Sequence, residues 1–154
     1  MKKKVSVARA LKEKNRLVGR ISALRQAIAK DNSHQSALPR SIDVLASLEQ
    51  VKKLKARLVA VKAAIGFANQ NIVAKIVELA EIKSEMAWLK GLDVKEGAFK
   101  ENSYGNSIVY EYEAAISGSD VVRMMDELRR RAEELQDELD EFNASAKVEI
   151  EVDD

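Results

Sequence analysis

The sequence predicts a mainly α fold: long antiparallel coiled-coil helices with a small C-terminal β-α-β unit, in the order α-α-β-α-β. Three observations predict it. Apolar residues recur every seven positions through the middle of the chain. Only one proline and six glycines punctuate a chain that is 33% charged, the composition of long helices with alternating charged and apolar faces. Near residue 108 the apolar spacing changes from helical to strictly alternating, which marks strand.

The first helix is expected from about Val5 to Ala29. Val7, Ala10, Lys14, Leu17, Ile21, Leu24 and Ile28 advance by threes and fours along one stripe, with Lys14 its single polar member. The polar stretch Asp31–Arg40, containing Pro39, reads as a connector. The second helix carries the strongest pattern. Val44, Val51, Leu58, Ile65, Ile72, Leu79 and Met86 repeat every seventh residue. Ser47, Leu54, Val61, Ala68, Lys75, Ile82 and Leu89 follow three places behind, as the a and d positions of a coiled coil. Ser41 offers an N-cap and Gly91 a stop. Gly66-Phe-Ala-Asn-Gln-Asn71 holds weak helix formers, and a turn there would give four helices in an up-down bundle. The heptad phase runs unbroken from Ile65 to Ile72, which favours one continuous helix over 42–90.

Residues 91–107 read as a loop. Ile108, Tyr110, Tyr112, Ala114 and Ile116 then alternate with Val109, Glu111, Glu113 and Ala115 as a strand with one buried face. Ser117-Gly-Ser-Asp120 matches a capping box ahead of a third helical stripe, from Val121 through Met125, Leu128, Ala132, Leu135 and Leu139 to Phe142. Val148, Ile150 and Val152 mark a last strand. A helix of about 25 residues spans roughly 37 Å and returns the chain past the first strand. The two strands are therefore expected to lie parallel, in a region 108–154 packed on a helical region 1–107.

The formal net charge of +1 conceals a polarity. Residues 1–62 hold 16 Lys/Arg against 4 Asp/Glu, and residues 101–154 hold 5 against 16. The two ends are expected to meet, with the basic first helix beside the acidic run Glu133–Glu141. The alternative is a polyanion-binding face made by Arg9, Lys12, Arg16 and Arg20, which would serve nucleic acid. No interleaved aromatic residues or helix-turn-helix pattern accompany that face.

Nothing in the sequence forms a catalytic, cofactor-binding or metal set. Cysteine is absent, so there is no thiol nucleophile and no thiolate metal site. His34 is the sole histidine and stands in a polar connector. Glu78, Glu81 and Glu85 lack the histidines of a di-metal bundle and read as a solvated face. The glycines form neither G-x-G-x-x-G nor a P-loop. No run approaches the ~18 apolar residues of a membrane span, and the basic start lacks a signal-peptide core. The expectation is a cytoplasmic, non-enzymatic coiled-coil protein. It would self-assemble, most simply as a two-fold homodimer, through the seam Val51, Leu58, Ile65, Ile72, Leu79 and Met86.

The layout resembles a bacterial family of short coiled-coil proteins of unknown function, sometimes labelled septicolysin-like. The resemblance rests on the basic opening ARALKEKNRLVGRISALRQAI and the polar connector. It continues through LEQVKKLKARLVAVKAAIGFANQN and VELAEIKSEMAWLKGL, a short strand, and the final helix MMDELRRRAEELQDELDEFNAS. In that family an Asn-containing stretch and a glycine turn interrupt the second helix. This chain has Asn69 and Asn71 there, with no glycine after them. The resemblance implies helical layout and no catalytic residues. The toxin-like label implies membrane damage, for which the sequence holds no apolar insertion segment.

Overall fold

The computed structural model describes residues 1–152. Strand β1 (Lys2–Ser6) runs directly into helix α1 (Val7–Asp31), and the connector leads to α2 (Val44–Ala68). A 3-10 turn at Asn69–Asn71 separates α2 from α3 (Val73–Lys90). The hairpin β2 (Gly97–Ser103) and β3 (Asn106–Tyr112) follows, then α4 (Gly118–Ser145) and β4 (Lys147–Glu151). The chain is mainly helical, as the periodicity predicts, but the element order is β-α-α-α-β-β-α-β.

Three differences from the expected order have physical causes. First, β4 does not lie parallel to the strand near 108. It pairs antiparallel with β1, so the C-terminal β-α-β unit is replaced by a sheet joining the two ends of the chain. Lys2 faces Glu151 and Lys4 faces Glu149 across that ladder. Opposite charges at directly opposed positions support a strand pair, and the lysines hid β1 in the sequence by masking its alternation. Second, the strand expected over 108–116 ends at Tyr112, and its partner β2 comes from the stretch read as loop. Tyr104 and Gly105 form the two-residue turn with φ of 49° and 84°, the double left-handed geometry that matches strand twist in hairpins. Third, the second helix is not continuous over 42–90. Ile72 N–H bonds Asn69 O at 3.0 Å, a 3-10 closure. Asn69 and Asn71 are weak helix formers, which lowers the cost of leaving the α-helical path there. Ile65 and Ile72 are both buried on either side of it, so a 3-10 turn interrupts the α-helix while leaving the heptad phase intact.

Helix starts follow local chemistry. Asp43, not Ser41, caps α2, its carboxylate accepting from Ala46 N–H at 2.9 Å. Ser117 and Asp120 form the expected capping box: Asp120 N–H donates to Ser117 Oγ at 3.1 Å and Ser117 N–H to Asp120 Oδ2 at 3.2 Å.

The described residues fall into two units. One comprises residues 1–73 with the chain from residue 140 onward, and the other residues 74–139. In the first, Val7, Ala10, Leu17 and Ile21 of α1 pack with Val51, Leu54, Val61 and Ile65 of α2. Val5 of β1, Val148 and Ile150 of β4, and Val152 close that core. In the second, Leu79, Ile82 and Leu89 of α3 and Met125, Leu135 and Leu139 of α4 are the buried side chains. Arg131 of α4 holds Glu78 of α3 through two bonds, 2.8 and 3.0 Å. Sequence counts give the first unit 17 Lys/Arg against 10 Asp/Glu, a formal +7, and the second 9 against 15, a formal −6.

Candidate interaction surfaces

The inner seam is used within the chain. Val51, Ile65, Ile72 and Leu79 are buried, and Leu58 and Met86 are half-buried. Around Val51, Leu58 and Ile65 the cover is α1, as one apolar stripe set into another.

A second apolar row, which the heptad pattern does not reveal, lies outside that seam. On α2 it comprises Leu45, Ala56, Val59, Ala63 and Phe67, with Lys52 the one charged member, all exposed. Phe67 is 76% and Val59 62% exposed. On α3 the row is Val73, Val77, Ala80, Ser84, Ala87 and Trp88, also exposed, with Trp88 at 56%. The α2 set advances by threes, fours and sevens and the α3 set by threes and fours, Ala87 and Trp88 standing side by side three and four places beyond Ser84, so each lies along one face of its helix. A helix apolar on two faces is ordinarily covered on two faces. The signal lies at the b, c and f heptad positions, hidden by the stronger a and d repeat.

The four residues expected to meet polyanions lie on α1, and three of them share a depression of about 500 Å³. Ser6, Ala8, Arg9, Lys12, Glu13, Arg16 and Val152 line it, and Arg20 does not. Among the described residues, Arg9 and Lys12 make no ion pair. Arg16 is committed differently. Its Nε and Nη2 each donate to the Glu13 carboxylate at 2.8 Å. Arg57 of α2 reaches the same carboxylate at 3.2 Å and the Glu151 carbonyl at 3.3 Å. Glu13, only 8% exposed, therefore ties α1 to α2. The stripe predicted Lys14 as the polar member, and Glu13 is the buried one.

The acidic run of α4 is engaged within its own unit where pairs are seen, Glu138 with Lys75 and Glu134 with Arg131. The hydrogen bonds from Arg131, outweighing the opposing effect of burial, hold the Glu78 carboxyl below its ordinary value. The same pair raises the Arg131 guanidinium. Tyr110 is exposed, while Tyr112 is half-buried edge-on against Phe99, with centroids 5.6 Å apart. Tyr112 Oη donates to Glu101, which raises its phenol above the ordinary value.

Among the described residues, no cluster of three or more His, Asp or Glu side chains could hold a metal ion. Among the same residues, no helix is long and apolar enough to cross a membrane. No protein-family model, curated protein or solved structure matches the chain.

Proposed function

We propose that this chain is a non-enzymatic helical interaction protein that self-assembles in coiled-coil fashion through the outer apolar rows of α2 and α3. The observation that carries this reading is the outer row itself. Its Leu, Val, Phe and Trp side chains face solvent at helical spacing, while the inner seam of the same helices is already covered. Rows of exposed apolar side chains of this kind, each along its own helix, mark an association site. Burial drives association at roughly 25 cal/mol per Å² of apolar area, less the entropy of docking. A closed two-fold dimer is the simplest product.

Sedimentation equilibrium tests it. The wild-type chain should exceed its 17.1 kDa monomer mass at micromolar concentration. The double variant Val59→Glu with Phe67→Glu should run as a monomer and keep its helical circular dichroism, because both side chains lie outside the core. A wild-type chain monomeric at about 100 μM, weaker than about −5.5 kcal/mol, would refute the proposal.

A second reading is nucleic-acid association through Arg9, Lys12, Arg16 and Arg20. It draws on the +7 charge of the first unit and on the unpaired Arg9 and Lys12. The Glu13 carboxylate beside Arg16 works against it by repelling phosphate. A mobility shift with random duplex DNA, lost steeply with salt, would favour this reading.

A further inference from the structure

The α1–α2 pair has a second edge with different chemistry. Two adjoining depressions of about 460 and 490 Å³ share Arg25 and Ala29. Their floor is apolar: Ile21 and Val51 are buried, Ile28 and Leu58 half-buried, and Val18 and Leu48 stand exposed along the walls. Their rims are cationic on both sides, with Arg25 on α1 and Lys52, Lys55 and Lys62 on α2. Among the described residues, Arg25, Lys55 and Lys62 make no ion pair. Lys52 has only an exposed contact with Glu49 three residues away.

We propose that this groove docks an acidic amphipathic helix of a partner protein. The lining runs alongside α1 from Val18 to Asn32, about 21 Å or four helical turns at 1.5 Å per residue, with the floor residues Ile21 and Ile28 two turns apart within it. An apolar stripe at i, i+3/i+4 and i+7 matches that floor, and carboxylates on both flanks meet the two rims. Nucleic acid fits less well, since its phosphates would satisfy the lysines and leave the Val18–Leu48 walls uncovered. A second copy fits less well too. Among the described residues, the one acidic amphipathic helix, α4, already buries Met125, Leu135 and Leu139 of its apolar stripe. Helix α3 carries three lysines against three glutamates, so it offers no net charge to the rims.

The test uses the full chain and a fluorescent synthetic peptide of about 20 residues, with leucine at a and d and glutamate at the flanking positions. Fluorescence anisotropy should give micromolar binding, with the peptide gaining helical circular dichroism. Lys55→Glu with Lys62→Glu should weaken it at least about tenfold without altering the chain's melting temperature. Leu48→Ser should weaken it also. A Val59→Ser/Phe67→Ser chain, which weakens the outer row without placing a carboxylate one turn from Lys55 and Lys62, should bind the peptide as wild type does, so failure of self-assembly and failure of the groove are read separately. The proposal is overturned if a scrambled peptide of the same charge binds equally. It is overturned equally if a random DNA duplex competes through Lys55 and Lys62 with greater affinity, or if no peptide binding is seen.

Discussion

A single carboxylate, Glu13, governs how the first unit is held together, and its energetic weight follows from its burial. It sits among Val7, Ala10 and Leu17 on the packed side of α1, yet it receives Arg16 and Arg57. A buried charge deprived of its partner costs more than the pair itself contributes. Glu13→Ala removes the carboxylate that Arg16 and Arg57 share across the α1–α2 interface, so unfolding in urea should show a loss of about 1–3 kcal/mol. Glu13→Gln, which keeps an acceptor, should lose less. The sequence could not single out Glu13, because charge at the edge of an apolar stripe is ordinarily solvated. Only the arrival of Arg57 from 44 residues away explains it. At Tyr104 the argument concerns backbone alone. Its φ of 49° is uncommon for a bulky residue, and its side chain is fully exposed. Tyr104→Asn would create the Asn-Gly pair that this double left-handed turn prefers. Stability should rise by about 0.5–1 kcal/mol, read as a higher thermal midpoint. A lower midpoint would show that the aromatic ring contributes something its exposure conceals.

Among elements, those with strong local signals were legible and those made by distant partners were not. The Ser117–Asp120 box and the stripe from Val121 to Phe142 are local, and α4 follows them. The inner seam of α2 and α3 is equally local, and its burial follows the heptads. Strand β1 exists because Glu149 and Glu151 return from the far end of the chain, which no window of sequence contains. Strand β2 has little apolar alternation of its own and depends on β3 for its ladder. The α1–α2 connector offers a pH-dependent test of one such distant tie. Asp31 accepts from Ser41 N–H at 2.8 Å and from Ile42 N–H at 3.0 Å. The Ile42 bond above all, joined by the Ser41 bonds and the Arg40 charge, holds its carboxyl below the ordinary 3.8 against the opposing effect of burial. The folded state therefore binds this proton later than the unfolded state as pH falls. The contribution is complete above about pH 4 and is lost as pH drops through the lowered folded value. Between pH 4 and 3, protection of the Ser41 and Ile42 amides against exchange should decline, after correction for the intrinsic rate. In Asp31→Asn that additional decline should vanish. An unchanged profile in the variant would show that the carboxylate charge is immaterial to the turn.

For the molecule as a whole, composition showed helices and charge polarity, but not which surface would be left over. The opposed ends meet as strands, with Lys2 and Lys4 facing Glu151 and Glu149. The fold still leaves one unit at +7 and the other at −6. Two forces could therefore join copies, charge between opposite units or burial of the outer apolar rows, and salt separates them. Exposed ion pairs contribute only about 0–1 kcal/mol each. Their reach shrinks as the screening length falls from about 8 Å at physiological ionic strength to about 3 Å at 1 M. Apolar burial is not screened, and sulfate strengthens it. If Val59, Phe67, Val77 and Trp88 carry the assembly, its dissociation constant should rise less than about tenfold between 50 mM and 1 M sodium chloride, a change under about 1.4 kcal/mol. Ammonium sulfate at the same ionic strength should lower it. Sedimentation across that series decides the matter. Dissociation to 17.1 kDa monomers in 1 M sodium chloride would assign the assembly to the charged units and leave the outer rows without that role.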